Sequence, residues 1–212
     1  MIPAASNDPP HRRQLLLGGA AVLLSGCALL NRPAPPQLYM LRPQMAPAMG
    51  ATVRWRLTVA APEAAASLDT ERIALTRTPI TMDYFANAAW TDRLPLMVQR
   101  MLVQAFEGTG RIMSVDRETL GAANDYLLET EIRDFQARYD MPNAAPAIVI
   151  GIQVKLLQMP QRDIVSGTYI SQEVKAAGNT IDSIVTAFNQ ATGAAIAQIV
   201  GWTLQQPAPS PA

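Results

Sequence analysis

Apolar positions follow two different periods along the chain, and the switch between them marks its elements. In the first half the runs are short and alternate: Trp55, Leu57 and Val59 share one face of a predicted strand, and 38–41, 73–77 and 80–84 read the same way. Thr78-Pro79 predicts a hairpin turn between the last two. Beyond Trp90 the period becomes helical, with Leu94, Met97, Val98, Met101, Leu102, Ala105 and Phe106 on one stripe. Thr91 or Asp92 suits its N-cap, Pro95 its first turn, and Gly108-Thr109-Gly110 its stop. A brief strand is predicted at 113–115.

Three longer alternating segments follow, at 125–135, 147–157 and 164–174, and together they predict an antiparallel meander with one wet face. On the first of them Tyr126, Leu128, Thr130 and Ile132 point one way and Glu129, Glu131 and Arg133 the other. The last element is a helix whose stripe runs Ile181, Ile184, Val185, Phe188, Thr192, Ala195, Ile199 and Trp202, capped by Asn179 or Thr180. Gly193 and Gly201 in it predict close packing on the sheet. Residues 206–212 carry no core-forming pattern and read as a disordered tail. The order predicts a single α+β domain over 38–205: a mainly antiparallel sheet with two helices packed on one face.

The first thirty residues follow another logic. His11-Arg12-Arg13 precedes an uncharged, Leu-rich run that ends in Leu24-Ser25-Gly26-Cys27, the layout of an export signal over 1–26. Leu24, Ser25 and Gly26 before the chain's one cysteine resemble a bacterial lipobox, which implies that Cys27 is lipidated and becomes the mature N-terminus. The competing reading is an uncleaved membrane helix, yet the uncharged stretch 15–30 falls short of the roughly 17 residues a span needs and contains three glycines. Residues 27–37 then read as the lipidated cysteine and a Pro-rich tether. Arg12-Arg13 also fits twin-arginine export as well as the ordinary route. Ala28, where an Asp would favour inner-membrane retention in such lipoproteins, points to the periplasmic face of the outer membrane, with the inner membrane still open.

Composition narrows the chemistry. Seventeen Lys and Arg balance seventeen Asp and Glu, so no basic face for nucleic acid is implied. The single histidine, His11, leaves with the signal, which removes any Ser-His-Asp or Cys-His arrangement from the mature chain. No phosphate-binding loop occurs, one cysteine cannot build a thiolate zinc site, and no metal or cofactor is expected. Glu129, Glu131 and Asp134 could form a carboxylate site, but interleaving with Arg133 favours a solvated face. The run from Tyr84 to Trp90, with Arg93 beyond it, has two readings: core packing at a strand-to-helix junction, or an aromatic patch that docks a protein partner.

The lipobox, Leu68-Asp69-Thr70-Glu71-Arg72-Ile73, Tyr84, Trp90-Thr91-Asp92-Arg93-Leu94-Pro95, Asp125-Tyr126-Leu127-Leu128-Glu129 and Asp134-Phe135 together resemble the ABC-type transport auxiliary lipoprotein family over about 39–204. The resemblance implies a non-catalytic periplasmic lipoprotein that works with an ABC permease, its ATPase and an MCE-domain substrate-binding protein in lipid transport between membranes. It implies no catalytic residue, Cys27 as the lipidation site, Tyr84, Trp90 and Arg93 as candidate partner contacts, and a homo-oligomer as an option. Two other functions compete: a lipid-binding carrier with an apolar cavity, and a carboxylate hydrolase with converging acids of raised pKa.

Overall fold

The three long alternating segments are the spine of the structure, a computed structural model that describes residues 35–44, 52–117 and 124–209. Leu24, Ser25, Gly26 and Cys27 lie outside the described residues, as do 210–212 of the tail. Among the described residues, nine strands and two helices follow one another. The strands are β1 (Gln37–Tyr39), β2 (Arg56–Val59), β3 (Glu63–Ala64), β4 (Arg72–Thr78), β5 (Thr81–Trp90), β6 (Ser114–Arg117), β7 (Tyr126–Arg138), β8 (Ala147–Gln158) and β9 (Asp163–Lys175). Helix α1 (Leu94–Thr109) joins β5 to β6, and α2 (Ile181–Leu204) closes the chain. Residues 36–212 form one compact unit of α+β class.

The meander forms as its alternation predicts: β7, β8 and β9 pair antiparallel along their whole lengths. The other edge of β7 is different. It is tiled by three short strands, all parallel to it: β2 beside Tyr126 to Leu128, β3 beside Glu131 and Ile132, and β4 beside Ala137 and Arg138. β1 beside β5 and β6 beside β2 are parallel too, so the sheet is mixed: its long pairings are antiparallel, as predicted, and its short ones parallel. The alternation gives each strand's faces but not its partner, and strands of two to four residues carry too little pattern to reveal direction. The β4–β5 hairpin turns at Pro79-Ile80, and β5 runs on as far as Trp90.

Strict alternation on β7 breaks once. A bulge at Arg133 lets Ile132 face Ile152 and Asp134 face Gly151, so Phe135 and Ala137 take over the inward positions that parity would have given to Asp134 and Gln136. The core lies between this face and the helices. Phe135 stacks on Phe188 of α2 with ring centroids 5.2 Å apart, and Trp90 meets both edge-on at 6.3 and 5.3 Å. Lower down, Trp55 packs edge-on against Tyr126 at 5.0 Å.

Three local expectations change. Helix α1 begins after Arg93 rather than at Thr91 or Asp92, because Thr91 N–H still serves the sheet by donating to Tyr39 O. Its end is as predicted, with Gly110 left-handed at φ 61°. Gly193 of α2 makes room for the chain after β1, not for the sheet: a Cβ there would lie 3.0 Å from Gln44 O and 3.2 Å from Pro43 Cβ. The tail starts tied down, since Tyr126 OH donates to Pro207 O at 3.0 Å and Gln206 Nε2 to Trp202 O at 2.9 Å. Thr180 caps α2, its hydroxyl accepting from Ser183 N.

Candidate functional site

Both helices cover one face of the sheet, so the other face of β7, β8 and β9 is the broad surface left to meet something else. Its residues are Glu129, Glu131 and, past the bulge that switches parity, Asp134, Gln136 and Arg138 on β7, Gln153 and Lys155 on β8, Tyr169 and Glu173 on β9. Most of the charges are held in pairs. Arg162 bonds Glu129, Arg133 bonds Glu131 at 2.9 Å, and Arg138 spans Glu173 at 2.7 Å and Asp140 at 3.1 Å. The Glu173 bond, with Asp140 second, raises the Arg138 pKa still further and keeps it cationic.

Tyr169 lies across Gly151, whose missing side chain leaves the space; a Cβ there would collide with the phenol oxygen. Its OH donates to Asp134 Oδ2 at 3.2 Å, and burial, reinforced by Asp134, raises its pKa. At one end of this face Glu63, Glu129, Glu131, Gln153, Lys155 and Arg162 surround an open groove of about 350 Å³ beside Ala60 and Ala61. The groove forms where β2 has ended and β3 has not yet begun, so the β7 edge at Glu129 and Thr130 is unpaired there. A surface of fixed, alternating charges can select a protein partner by complementarity.

The Tyr84 region resolves into separate parts. Trp90 is 1 % exposed and meets Phe135 and Phe188 edge-on, so its ring is core and is not a surface contact: β5 runs as far as Trp90 and places its ring against Phe188 of α2. Tyr84 is half-buried; its OH donates to Ser67 O at 3.0 Å while the Arg72 guanidinium lies 3.6 Å above its ring. Arg93 is exposed and pairs with Asp69. Tyr84 of β5 and Arg93 before α1 therefore lie at the surface, tied to the β3–β4 connection, and Trp90 does not.

The carboxylates of β7 each face a cation or a hydrogen-bond donor. Elsewhere Asp125 is clasped by Arg56, through the Arg56 backbone N–H at 2.7 Å and the guanidinium at 3.2 Å, and that side-chain bond holds its carboxyl below the usual range. This pair pins the start of β2 to the start of β7. Among the described residues no helix is long and apolar enough to cross a membrane, and no cluster of His, Cys, Asp and Glu could hold a metal.

Relatives share this architecture. A crystal structure of a Xanthomonas campestris protein of the family DUF330 matches with a TM-score of 0.74 at 28 % identity, covering 79 % of this chain and 94 % of that one. A second solved structure, of an uncharacterized protein, matches at 0.64 and 18 % identity over 80 % of this chain and 99 % of its own, and shows the same fold. In sequence, the chain is 26 % identical to an uncharacterized protein of Bradyrhizobium diazoefficiens over 89 % of its own length, and it spans about half of that relative, 49 %. The family described as the ABC-type transport auxiliary lipoprotein component matches residues 39–200, from β1 into the last turns of α2, and the chain belongs to that family.

Proposed function

We propose that this chain is the lipid-anchored docking subunit of an ABC/MCE-type system that moves lipid between membranes. In this reading Cys27 carries the anchor and holds the domain at the periplasmic face of the outer membrane, while the open sheet face meets an MCE-domain protein that works with the permease and ATPase. Family membership brings the ABC system; the observation that carries the docking role is the helix-free face with its charges fixed in pairs, a surface built to be complementary rather than reactive. The carrier alternative needs space between sheet and helices, and that space is occupied by Trp90, Phe135 and Phe188 in mutual contact.

The test is a mild-detergent pull-down of the full-length protein with mass spectrometry of bound proteins and lipids. The docking reading expects an MCE protein with its ABC partners. It also expects Glu131→Arg together with Lys155→Glu to lose them while the domain stays folded. Stoichiometric lipid without protein would replace docking by carriage. Retention of all partners by the charge-reversed face would move the contact elsewhere, with Tyr84 and Arg93 next in line.

A further inference from the structure

One end of the sheet carries exposed apolar side chains on two adjoining tips. Ile80, at the β4–β5 turn, is 93 % exposed, and Met141, between β7 and β8, is 64 % exposed. Pro79 and Pro142 accompany them, and Met82 follows at 37 %. The two loops are fixed side by side: Tyr139 N–H donates to Thr76 O at 2.8 Å, the Arg77 guanidinium stands 5.8 Å from the Tyr139 ring, and Tyr139 OH donates to Asn179 Oδ1 at 2.7 Å. A single exposed apolar residue is ordinary, but two on neighbouring tips whose loops are locked together make a patch.

Exposure alone does not choose this end, because Met113 and Ile164 are exposed by 64 % and 65 % at the opposite end. The direction of β1 does choose. It runs parallel to β5, with Gln37 opposite Ala88 and Tyr39 opposite Trp90, so the chain enters the domain from the hairpin side. The tips overhang that entry by about 20 Å, the rise of β4 from Arg72 to Thr78 at about 3.3 Å per residue. The chain from Cys27 to Gln37, extended at about 3.1 Å per residue, reaches about 30 Å, enough to cover the overhang.

We propose that Ile80 and Met141 rest in the headgroup region of the bilayer that holds Cys27, so that the domain stands tip-down on its own membrane with the open face turned sideways. The inference rests on the anchor assigned to Cys27 above. The contact is apolar: beside the tips Arg77 is paired with Asp83, and Arg138 with Asp140 and Glu173, so a zwitterionic lipid surface suffices and salt has little effect.

The test uses full-length protein on phosphatidylcholine vesicles with brominated acyl chains, which quench nearby indoles. The protein is held by its own acyl group or, where mass spectrometry finds none, through the Cys27 thiol on a maleimide lipid. After the wild-type emission of Trp55, Trp90 and Trp202 is subtracted, the remaining emission of Ile80→Trp and of Met141→Trp is expected to fall about twofold or more, since interfacial groups sit roughly 5–10 Å deep. A Met113→Trp reporter is expected to match the unquenched background of Trp55, Trp90 and Trp202. Equal emission from all three reporters, with and without bromine, would overturn the tip contact. Mass spectrometry reads the anchor separately, so an unacylated Cys27 with quenched tips would sink the anchor and leave the contact standing.

Discussion

The two faces of the β7–β8–β9 meander are made by the same strands and obey different rules. On the helix side Phe135, Ile150, Ile152 and Val154 are at most 1 % exposed and meet Phe188 and its neighbours, so shape decides what fits. On the open side Glu129, Glu131 and Arg138 are matched to Arg162, Arg133 and Glu173 across solvent, so charge decides. The difference separates stability from recognition: substitutions on one face should unfold the domain, and those on the other should leave it folded with its partners lost.

That separation can be broken from its strongest point downward. Phe188→Ala removes the ring that joins Trp90 and Phe135, and a loss of about 3–5 kcal/mol in denaturant unfolding is expected. A loss below about 1 kcal/mol would mean that the aromatic stack is not the keystone of the helix face. Next is the Arg56–Asp125 clasp, where Asp125→Asn should cost about 1 kcal/mol near neutral pH. The folded state lowers the Asp125 pKa below its ordinary 3.8, chiefly through the Arg56 bond, so its contribution is present above that value and fades as pH falls through the folded pKa. Unfolding curves of the wild type and Asp125→Asn should therefore converge in acid; curves that stay parallel would deny the linkage.

Gly151→Val tests the boundary between the two rules. The new side chain would displace the Tyr169 phenol and break its bond to Asp134, both at the ends of side chains, so the expected cost is only about 1 kcal/mol. A rise in Tyr169 mobility by NMR should accompany it. Smallest is the double reversal Glu131→Arg and Lys155→Glu, expected within about 0.5 kcal/mol of wild type because these groups are solvated. Its thermal unfolding should be nearly unchanged even where the pull-down fails.

Much of this was legible in the sequence. Alternation in 125–135, 147–157 and 164–174 gives the meander, the Leu94 to Phe106 stripe gives α1, and Asn179 or Thr180 gives the cap of α2, which is Thr180. What was not legible depends on partners far along the chain. The bulge at Arg133 changes parity without a glycine or proline to announce it, and parallel pairing of β2, β3 and β4 with β7 leaves no local mark. Trp90 illustrates the limit for the site: aromatics beside small residues suit a docking patch and a buried junction alike, and only the course of β5 decides. The charged face was visible as alternating Glu and Arg, while the cross-strand bond from Arg138 to Glu173 needed the register of three strands.

The tiled edge of β7 also sets an order of assembly. Leu57 finds its partner at Tyr126 and Leu75 at Ala137, whereas β7, β8 and β9 are joined by short turns. Long loops close slowly and local hairpins quickly. A chain threaded unfolded through a membrane from its N-terminus delivers β2, β3 and β4 first, yet their edges toward β7 must wait unpaired until β7 emerges. The interval between the two is the period in which this domain is most exposed to aggregation and proteolysis, and a chain that folds before export never meets it.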